Sequence, residues 1–301
     1  MMFKRKVLVV LDVYNDFRDD PAHMPVELRK TLTLLGDNTQ VSIYLVACGF
    51  EEYLHDSYSN FGPDAIEQRK TFISEMQGRL QFFADAIRAK GFAVECLVHW
   101  TYPRYEHIAK EAQELDVDLV VQHVNTQKFE EKHNLSHDTW QLVKTCVKPM
   151  LLIKNTEWLE NPVILAAVDP VHSHHKPGGL DHKILDISLE ISQKLDGSLQ
   201  LVHAYSESAR PFAEGGKIKE MHSQAIDSLV KDYSIDSSMV HLIDDKPANA
   251  ILQCVDDLQA SIVVLGALSR SRLSDAIIGN TADRVLDYIH SDLLIVKPIQ
   301  S

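Results

Sequence analysis

The amino-acid sequence predicts the α/β fold class, as two tandem open-sheet parallel α/β domains that cover residues 1–156 and 157–301. Short apolar runs alternate along the chain with stretches whose apolar residues recur at helical spacing. Strands that are apolar along their whole length are typical of parallel sheets covered by helices on both faces. The same order of elements occurs twice, which indicates duplication of one domain.

The two copies can be aligned on their apolar runs. Asp12 and Asp169 each end such a run and are 157 residues apart, whereas the runs 150–154 and 293–297 are 143 residues apart. The first copy is therefore about 14 residues longer, and we assign the surplus to the region of residues 48–63. The joint between the copies is expected near residues 155–162.

Each copy is predicted to contain five strands with helices between them. In the first copy the strands lie near Val7, Val41, Val94, Leu119 and Met150, and a long helix covers 63–90. In the second copy the strands are 163–169, 199–203, 239–243, 262–265 and 293–297. Helices are expected at 184–194, which has one apolar face, and at 248–258, which follows a proline.

Composition and charge exclude several classes of protein. The net charge of −13 repels nucleic acid, so direct nucleic-acid binding is not expected. No apolar stretch is long enough for a membrane helix, and the N-terminal apolar run is interrupted by Asp12 and Asn15, unlike a signal peptide. The four cysteines are scattered through apolar runs, which is typical of reduced thiols. We expect a cytoplasmic protein.

The strongest candidate for a ligand site is the segment 266–281, GALSRSRLSDAIIGNT. A strand ends before Gly266, small polar and basic residues follow, and Gly279 precedes a helix that begins near Thr281. Glycines admit close backbone approach, and the free N–H groups at a helix start favour phosphate. Asp169, at the end of the first strand of the same copy, could accept hydrogen bonds from a ribose or an adenine amine. An ordinary capped helix and a solvated turn aspartate remain the alternatives.

The two copies and this segment resemble the universal stress protein family in its tandem-domain form. The ATP-binding pattern of that family, Gly-x2-Gly-x9-Gly-(Ser/Thr), stands here as Gly266-x2-Ser269-x9-Gly279-Asn280, so Ser269 and Asn280 depart from it. The resemblance implies a HUP-type, adenine nucleotide alpha hydrolase-like fold that binds ATP or AMP. It also implies that Asp169 contacts the adenosine, and that the phosphates are held by a group of six residues. These are Gly266, Ser269, Arg270, Gly279, Asn280 and Thr281.

The first copy serves as an internal control for this site. At the 143-residue offset, His123, Thr126 and Ser136 take the places of Gly266, Ser269 and Gly279. Glu130 and Glu131 add negative charge to the same segment. We therefore expect that the first copy does not bind ATP, because the loop chemistry for phosphate is missing. The resemblance further implies that the two copies pair through their last strands as an intramolecular pseudo-dimer; a homodimer of the whole chain stays open.

Histidines form the other conspicuous pattern. His172, His174, His175 and His182 follow Asp169 closely, but neighbouring histidines rarely converge on one ion, so a surface loop is expected rather than a metal site. His133 and His137 are four residues apart, and a metal site there is expected still less. His203 lies in a predicted strand and is expected to be a hydrogen-bonded core residue.

Three functions remain open. The first is a stress-response sensor that binds adenine nucleotide in its second domain and acts on an unknown protein partner. The second is an interaction scaffold that binds no nucleotide or another ligand. The third is a weak ATPase or a metal-assisted hydrolase, although no catalytic residue can be named because the sequence contains no nucleophile elbow and no cysteine beside an evident base.

Overall fold

A computed structural model describes residues 5–12, 23–49, 63–124, 127–129, 132–171, 179–207, 216–267 and 280–298. These residues form two units. The first unit comprises Phe3–His123 and His137–Lys148, and the second comprises Val124–Ser136 and Pro149–Ser301. Among the described helices, none combines the length and the apolar character that a membrane crossing requires.

The first unit is a parallel sheet with helices. Its four strands lie in the order β3-β2-β1-β4, and every described pairing among them is parallel. The strands are β1 (Lys6–Val10), β2 (Ser42–Gly49), β3 (Ala93–Trp100) and β4 (Leu119–His123). The helices are α1 (Val26–Leu35), α2 (Pro63–Arg88), α3 (Arg104–Glu114) and α4 (His137–Thr145).

The core of the first unit follows from its apolar strands. Val7, Leu8 and Val9 in β1 are fully buried, as expected for a strand with neighbours on both sides. Helix α2 packs on β2 and β3. A Cβ atom at Gly49 would overlap the ring of Phe72 from α2, so the glycine lets the helix lie close to the end of β2.

The second unit contains the remaining strands and helices. Its main strands lie in the order β10-β9-β8-β11-β12-β7. They are β7 (Met150–Ile153), β8 (Val163–Ala167), β9 (Ser198–Tyr205), β10 (Val240–Asp244), β11 (Ile262–Gly266) and β12 (Asp292–Val296). Two short strands, β5 (Gln127–Phe129) and β6 (Lys132–Asn134), form a separate antiparallel hairpin. The helices are α5 (Leu180–Lys194), α6 (Lys217–Val230), α7 (Pro247–Leu258) and α8 (Asn280–Tyr288).

The last strands of the two sequence copies lie side by side in the second unit. β7 pairs antiparallel with β12, so that Leu152 faces Leu293 and Met150 faces Ile295 across the ladder. The strands from β10 to β12 are otherwise joined by parallel pairings. The four residues of these two pairs in β7 and β12 are completely buried, so this junction belongs to the apolar core of the unit. They are Met150, Leu152, Leu293 and Ile295.

The predicted fold class is confirmed, since both units are built on parallel sheets with helices. The predicted strands are found with shifts of a few residues; for example, the strand expected at 239–243 is Val240–Asp244, preceded by a 3₁₀ turn at Ser237–Met239. Strands β1 and β8 end at Val10 and Ala167, so Asp12 and Asp169 follow the strands rather than closing them. The β5–β6 hairpin was not predicted, and the expected joint 155–162 lies within the second unit.

Candidate functional site

The carboxyl ends of β8 and β11 form the point where a ligand site is expected in the second unit. β8 lies between β9 and β11, so the chain leaves β8 toward one side and later returns on the other. Ligands of open α/β sheets bind at this kind of switch in strand order. The last paired residues of the two strands are Ala167 and Leu265. Asp169 and Gly266 are therefore placed at neighbouring strand ends.

The turn that carries Asp169 is attached to the start of helix α5. The backbone N–H of Asp169 donates a hydrogen bond to Oδ1 of Asp181, at 3.1 Å. Asp181 is buried in the first turn of α5, where a carboxylate also interacts favourably with the helix dipole. Gly179, at φ 86°, occupies the N-cap position in a left-handed conformation that favours glycine. Sequence analysis missed Asp181, although an aspartate in the first turn of a helix is a readable signal.

Gly266 closes β11 and packs tightly against α5. A Cβ atom here would lie 2.7 Å from Cδ2 of Leu180 and 3.4 Å from Cδ1 of Ile184. The backbone N–H of the next residue, Ala267, donates to the carbonyl of Val296 at 3.1 Å, which ties the strand end to β12. A side chain at this position would force Leu180 to shift, so the glycine also serves helix–strand packing, a role that the sequence did not indicate.

The other predicted phosphate-binding residues divide into two groups. Ser269, Arg270 and Gly279 lie outside the described residues. Asn280 and Thr281 are the first two residues of α8, so the helix begins where the sequence predicted a phosphate-binding helix start. Free N–H groups in the first turn of a helix can bind an anion.

A buried pair of histidines lies under the Asp169 turn. His203, on β9, places Nδ1 3.0 Å from the carbonyl of Val168, and its Nε2 lies 2.7 Å from Nδ1 of His222 on α6. A carbonyl only accepts, so Nδ1 of His203 carries the proton and, in the neutral ring, Nε2 accepts from His222. The expectation that His203 is a hydrogen-bonded core residue is confirmed. The pairing with His222 was not foreseen, because the two residues belong to different elements.

His182 is the histidine of the predicted His-rich segment that lies within the described residues, and its partner is Tyr233. His182, on α5, places Nδ1 3.2 Å from the hydroxyl oxygen of Tyr233, and the two rings stack at 6.0 Å between centroids. Burial, followed by the hydrogen bond to Asp186, raises the pKa of Tyr233 well above its usual range. His172, His174 and His175 lie outside the described residues, as does the side chain of His133. His137 is exposed and lies 3.4 Å from the amide nitrogen of Gln141.

The first sequence copy contains a hairpin at the place that corresponds to the predicted phosphate loop. Asp12 follows β1, as Asp169 follows β8. After β4, the chain forms the β5–β6 hairpin, in which Gln127 pairs with Asn134, and β6 lies against α8. Ser136, the counterpart of Gly279, directly precedes α4. Thr126, Glu130 and Glu131 lie outside the described residues.

Comparison with known proteins agrees with this architecture. Residues 163–297 match the model of the universal stress protein family. Universal stress protein E of Escherichia coli is 26% identical over 317 aligned positions, which cover 100% of this chain and 96% of the relative. A crystal structure of a protein of unknown function from Pseudomonas aeruginosa has a TM-score of 0.74 at 23% identity, covering 99% and 94% of the two chains.

A second solved structure supports the same fold. The crystal structure of a universal stress protein from Archaeoglobus fulgidus has a TM-score of 0.67 at 16% identity and covers 97% of this chain and 98% of that chain. At these identities the structures establish the fold alone. The family match covers residues 163–297, which contain β8 to β12, and the similarity to the E-type relative runs along the whole chain. Residues 163–297 of the chain thus match the universal stress protein family, and the chain as a whole is similar to universal stress protein E.

Proposed function

We propose that this stress-response protein binds an adenine nucleotide, ATP or AMP, in its second domain and acts as a sensor or regulatory binding protein. The observation that carries the proposal is the placement of Asp169 and Gly266 at the carboxyl ends of neighbouring parallel strands, at the switch in strand order. In this arrangement Asp169 contacts the adenosine. Gly266, Ser269, Arg270, Gly279, Asn280 and Thr281 surround the phosphates, with the N-terminus of α8 as anion donor.

The first domain is proposed to have no such nucleotide site. The chain after β4 forms a hairpin in which backbone groups pair with each other, from Gln127 with Asn134 to Phe129 with Lys132. Backbone N–H groups that are already bonded across a hairpin are not available to an anion.

Nucleotide binding to the second domain is proposed to change a surface that a protein partner binds. The change arises because the nucleotide has different affinities for two states of the protein.

A cytoplasmic location is part of the proposal. All four cysteines are free thiols; Cys48, Cys146 and Cys254 are buried, and Cys96 is half-buried. Buried free thiols fit a reducing compartment.

Calorimetric titration with ATP and AMP tests the proposal on the full chain. The informative variant is Gly279→Glu, which places a carboxylate just before α8 and should repel phosphate from the helix N-terminus. The matched control is Ser136→Glu, at the corresponding place before α4 in the first copy. A second matched pair is Asp169→Asn, which changes the proposed adenosine contact, and Asp12→Asn, which changes the corresponding residue of the first copy.

The expected result is one saturable site per chain, lost in Gly279→Glu, weakened in Asp169→Asn and retained in both first-copy controls. The same pattern should appear as a nucleotide-dependent rise in melting temperature, since a ligand that binds only the folded state stabilises it. If millimolar ATP gives neither heat nor a thermal shift with the wild-type protein, the proposal is wrong and the interaction scaffold becomes the better interpretation.

A further inference from the structure

Three side chains in the first unit converge where strand β3 meets helix α3. His99 is the second-last residue of β3, and His107 and Glu111 are one helical turn apart on α3. Residues at i and i+4 lie on the same face of a helix, so both α3 side chains point to the same neighbour. This trio is at the carboxyl end of the first-unit sheet, and it is separate from the nucleotide site proposed for the second domain.

The distances within the trio are short. Nε2 of His99 lies 3.5 Å from Oε2 of Glu111, and Nε2 of His107 lies 3.7 Å from the same oxygen. The two imidazole rings have centroids 4.1 Å apart. One ligand atom from each of the three residues can be chosen so that all lie within 4.8 Å of one another. Within the described ranges, no other group of three His, Cys, Asp or Glu residues meets this condition.

Hydrogen bonding inside the protein does not account for this arrangement. The Nε2 atoms of His99 and His107 are both buried, and among the described residues neither has a hydrogen-bond partner. Buried polar atoms are normally paired, because leaving one unpaired costs about 1–3 kcal/mol. Two imidazole nitrogens and a carboxylate oxygen therefore face one small space.

A divalent transition metal ion would satisfy all three atoms at once. Tetrahedral Zn²⁺ has bonds of about 2.0–2.1 Å to histidine nitrogen and about 2.0–2.2 Å to carboxylate oxygen, which places neighbouring ligand atoms roughly 3.3–3.5 Å apart. The two nitrogen–oxygen separations of 3.5 Å and 3.7 Å are close to this spacing, and one ligand atom from each of the three residues lies within 4.8 Å of the others. Two histidines and one glutamate are a known zinc ligand set that leaves the fourth position for an exchangeable ligand.

We propose that His99, His107 and Glu111 form a metal site in the first domain that binds one divalent transition ion, with Zn²⁺ as the reference ion. Imidazole and carboxylate donors suit Zn²⁺ and exclude ions that prefer all-oxygen sites, such as Ca²⁺ and Mg²⁺. The bound ion joins the end of β3 to the middle of α3. Metal binding should therefore stabilise the first unit against unfolding, because the ligands come from two separate elements.

The site can be tested by titrating the metal-free full chain with Zn²⁺ against a chromophoric competitor. Glu111→Gln keeps the shape of the side chain and removes its charge, so it should fold and lose binding. The loss should exceed about 100-fold, because even the outer partners of metal ligands are worth about 10–100-fold in affinity. Two control variants address the alternative donors: Cys96→Ser removes the one half-buried thiol, and the triple variant His172→Ala, His174→Ala, His175→Ala removes the His-rich segment.

The expected outcome is one Zn²⁺ per chain in the wild-type protein and in both controls, with a higher melting temperature that Glu111→Gln does not show. The proposal is overturned if Glu111→Gln binds as the wild type does, if the triple variant loses the site, or if no Zn²⁺ binds. If Glu111→Gln fails to fold, the visible absorption spectrum of the triple variant with added Co²⁺ tests the site instead. Visible bands of a four-coordinate nitrogen and oxygen site support the trio, and their absence refutes it.

Discussion

The indole Nε1 of Trp158 donates a hydrogen bond of 2.7 Å to Oδ2 of Asp292, in the second unit. The other carboxylate oxygen, Oδ1, accepts from the backbone N–H of Lys154, also at 2.7 Å. Asp292 is 1% exposed, so this carboxylate is among the most deeply buried charged groups of the described chain. Through these two hydrogen bonds, the segment that joins the two sequence copies is attached to the start of β12, where Asp292 is the first residue.

Replacing Trp158 with phenylalanine should destabilise the second unit. The variant removes the donor to Oδ2 of Asp292 while keeping an aromatic ring, and a buried acceptor that loses its partner costs about 1–3 kcal/mol. Trp140→Phe, on α4 of the first unit, is the matched control, because the described partner of its ring is the Lys144 ammonium at 5.9 Å. Urea unfolding should show a lower midpoint for Trp158→Phe only. Equal midpoints for the two variants would contradict this role of Trp158.

Lys154 should make stability depend on pH in the alkaline range. Its side chain is almost completely buried, and burial lowers its pKa from 10.5 to about 8, with Asp292 and Asp287 acting in the opposite direction. Between these two values the unfolded chain binds more protons than the folded one, so the free energy of unfolding rises with pH. The rise due to this group amounts to about 3 kcal/mol between pH 8 and pH 10.5.

The measurement is a comparison of the wild-type protein with Lys154→Met in denaturant unfolding at several pH values. Burial also raises the pKa of Cys254 to about 11, which lowers stability over the same range, so the difference between the two proteins isolates Lys154. The free energy of unfolding of the wild type, relative to that of Lys154→Met, should increase as pH rises. A constant gap from pH 7 to pH 10.5 would show that Lys154 titrates normally.

Alanine at position 266 should be poorly tolerated for reasons of packing. Its Cβ atom would lie 2.7 Å from Leu180, so α5 must move or Leu180 must leave its rotamer, at a cost of about 1–3 kcal/mol. Gly78→Ala is the control, because a Cβ atom there meets nothing within 4 Å on helix α2, and alanine should stabilise by about 0.5–1 kcal/mol.

The double variant Gly266→Ala, Leu180→Ala separates packing from ligand binding. If packing is the reason for the glycine, the two substitutions should be strongly non-additive in unfolding experiments, because the smaller residue 180 removes the overlap. Additive effects would mean that the glycine serves another purpose.

His222 should be required for the structure beneath the Asp169 turn. His222→Phe leaves Nε2 of the buried His203 without its described donor, and should cost about 1–3 kcal/mol. His182→Phe is the control, since the hydrogen bond between His182 and Tyr233 is exposed. Nitrogen NMR of the wild-type protein should show the proton on Nδ1 of both His203 and His222. A proton on Nε2 of a neutral His203 would refute the assigned direction of the hydrogen bond.

The repeating order of strands and helices could be predicted because it follows from local patterns. Apolar runs such as 163–167 and helical spacing such as 184–194 are visible within a few residues of sequence. The same local reasoning placed Asp169 at the end of a strand, two residues beyond its observed end at Ala167, and a helix start at Thr281, next to the observed start at Asn280. These features depend on residues that are close together in the chain.

Features that depend on distant residues could not be predicted in this way. The contact of Gly266 with Leu180 joins residues 86 positions apart, and the trio of His99, His107 and Glu111 exists only once β3 packs beside α3. The only local signal of the trio was a histidine four residues before a glutamate, which occurs often by chance. The β5–β6 hairpin was missed because strands of three residues carry too little pattern.

The antiparallel ladder between β7 and β12 has a consequence for any attempt to separate the two halves. A fragment that begins at residue 157 lacks β7, so Leu293, Leu294 and Ile295 of β12 would lie on an unpaired sheet edge. Such edges are templates for adding a foreign strand. Two fragments could then associate through β12, each replacing the strand that the other has lost, so the excised half would be a dimer or an aggregate. Retaining residues 149–156 keeps the edge covered.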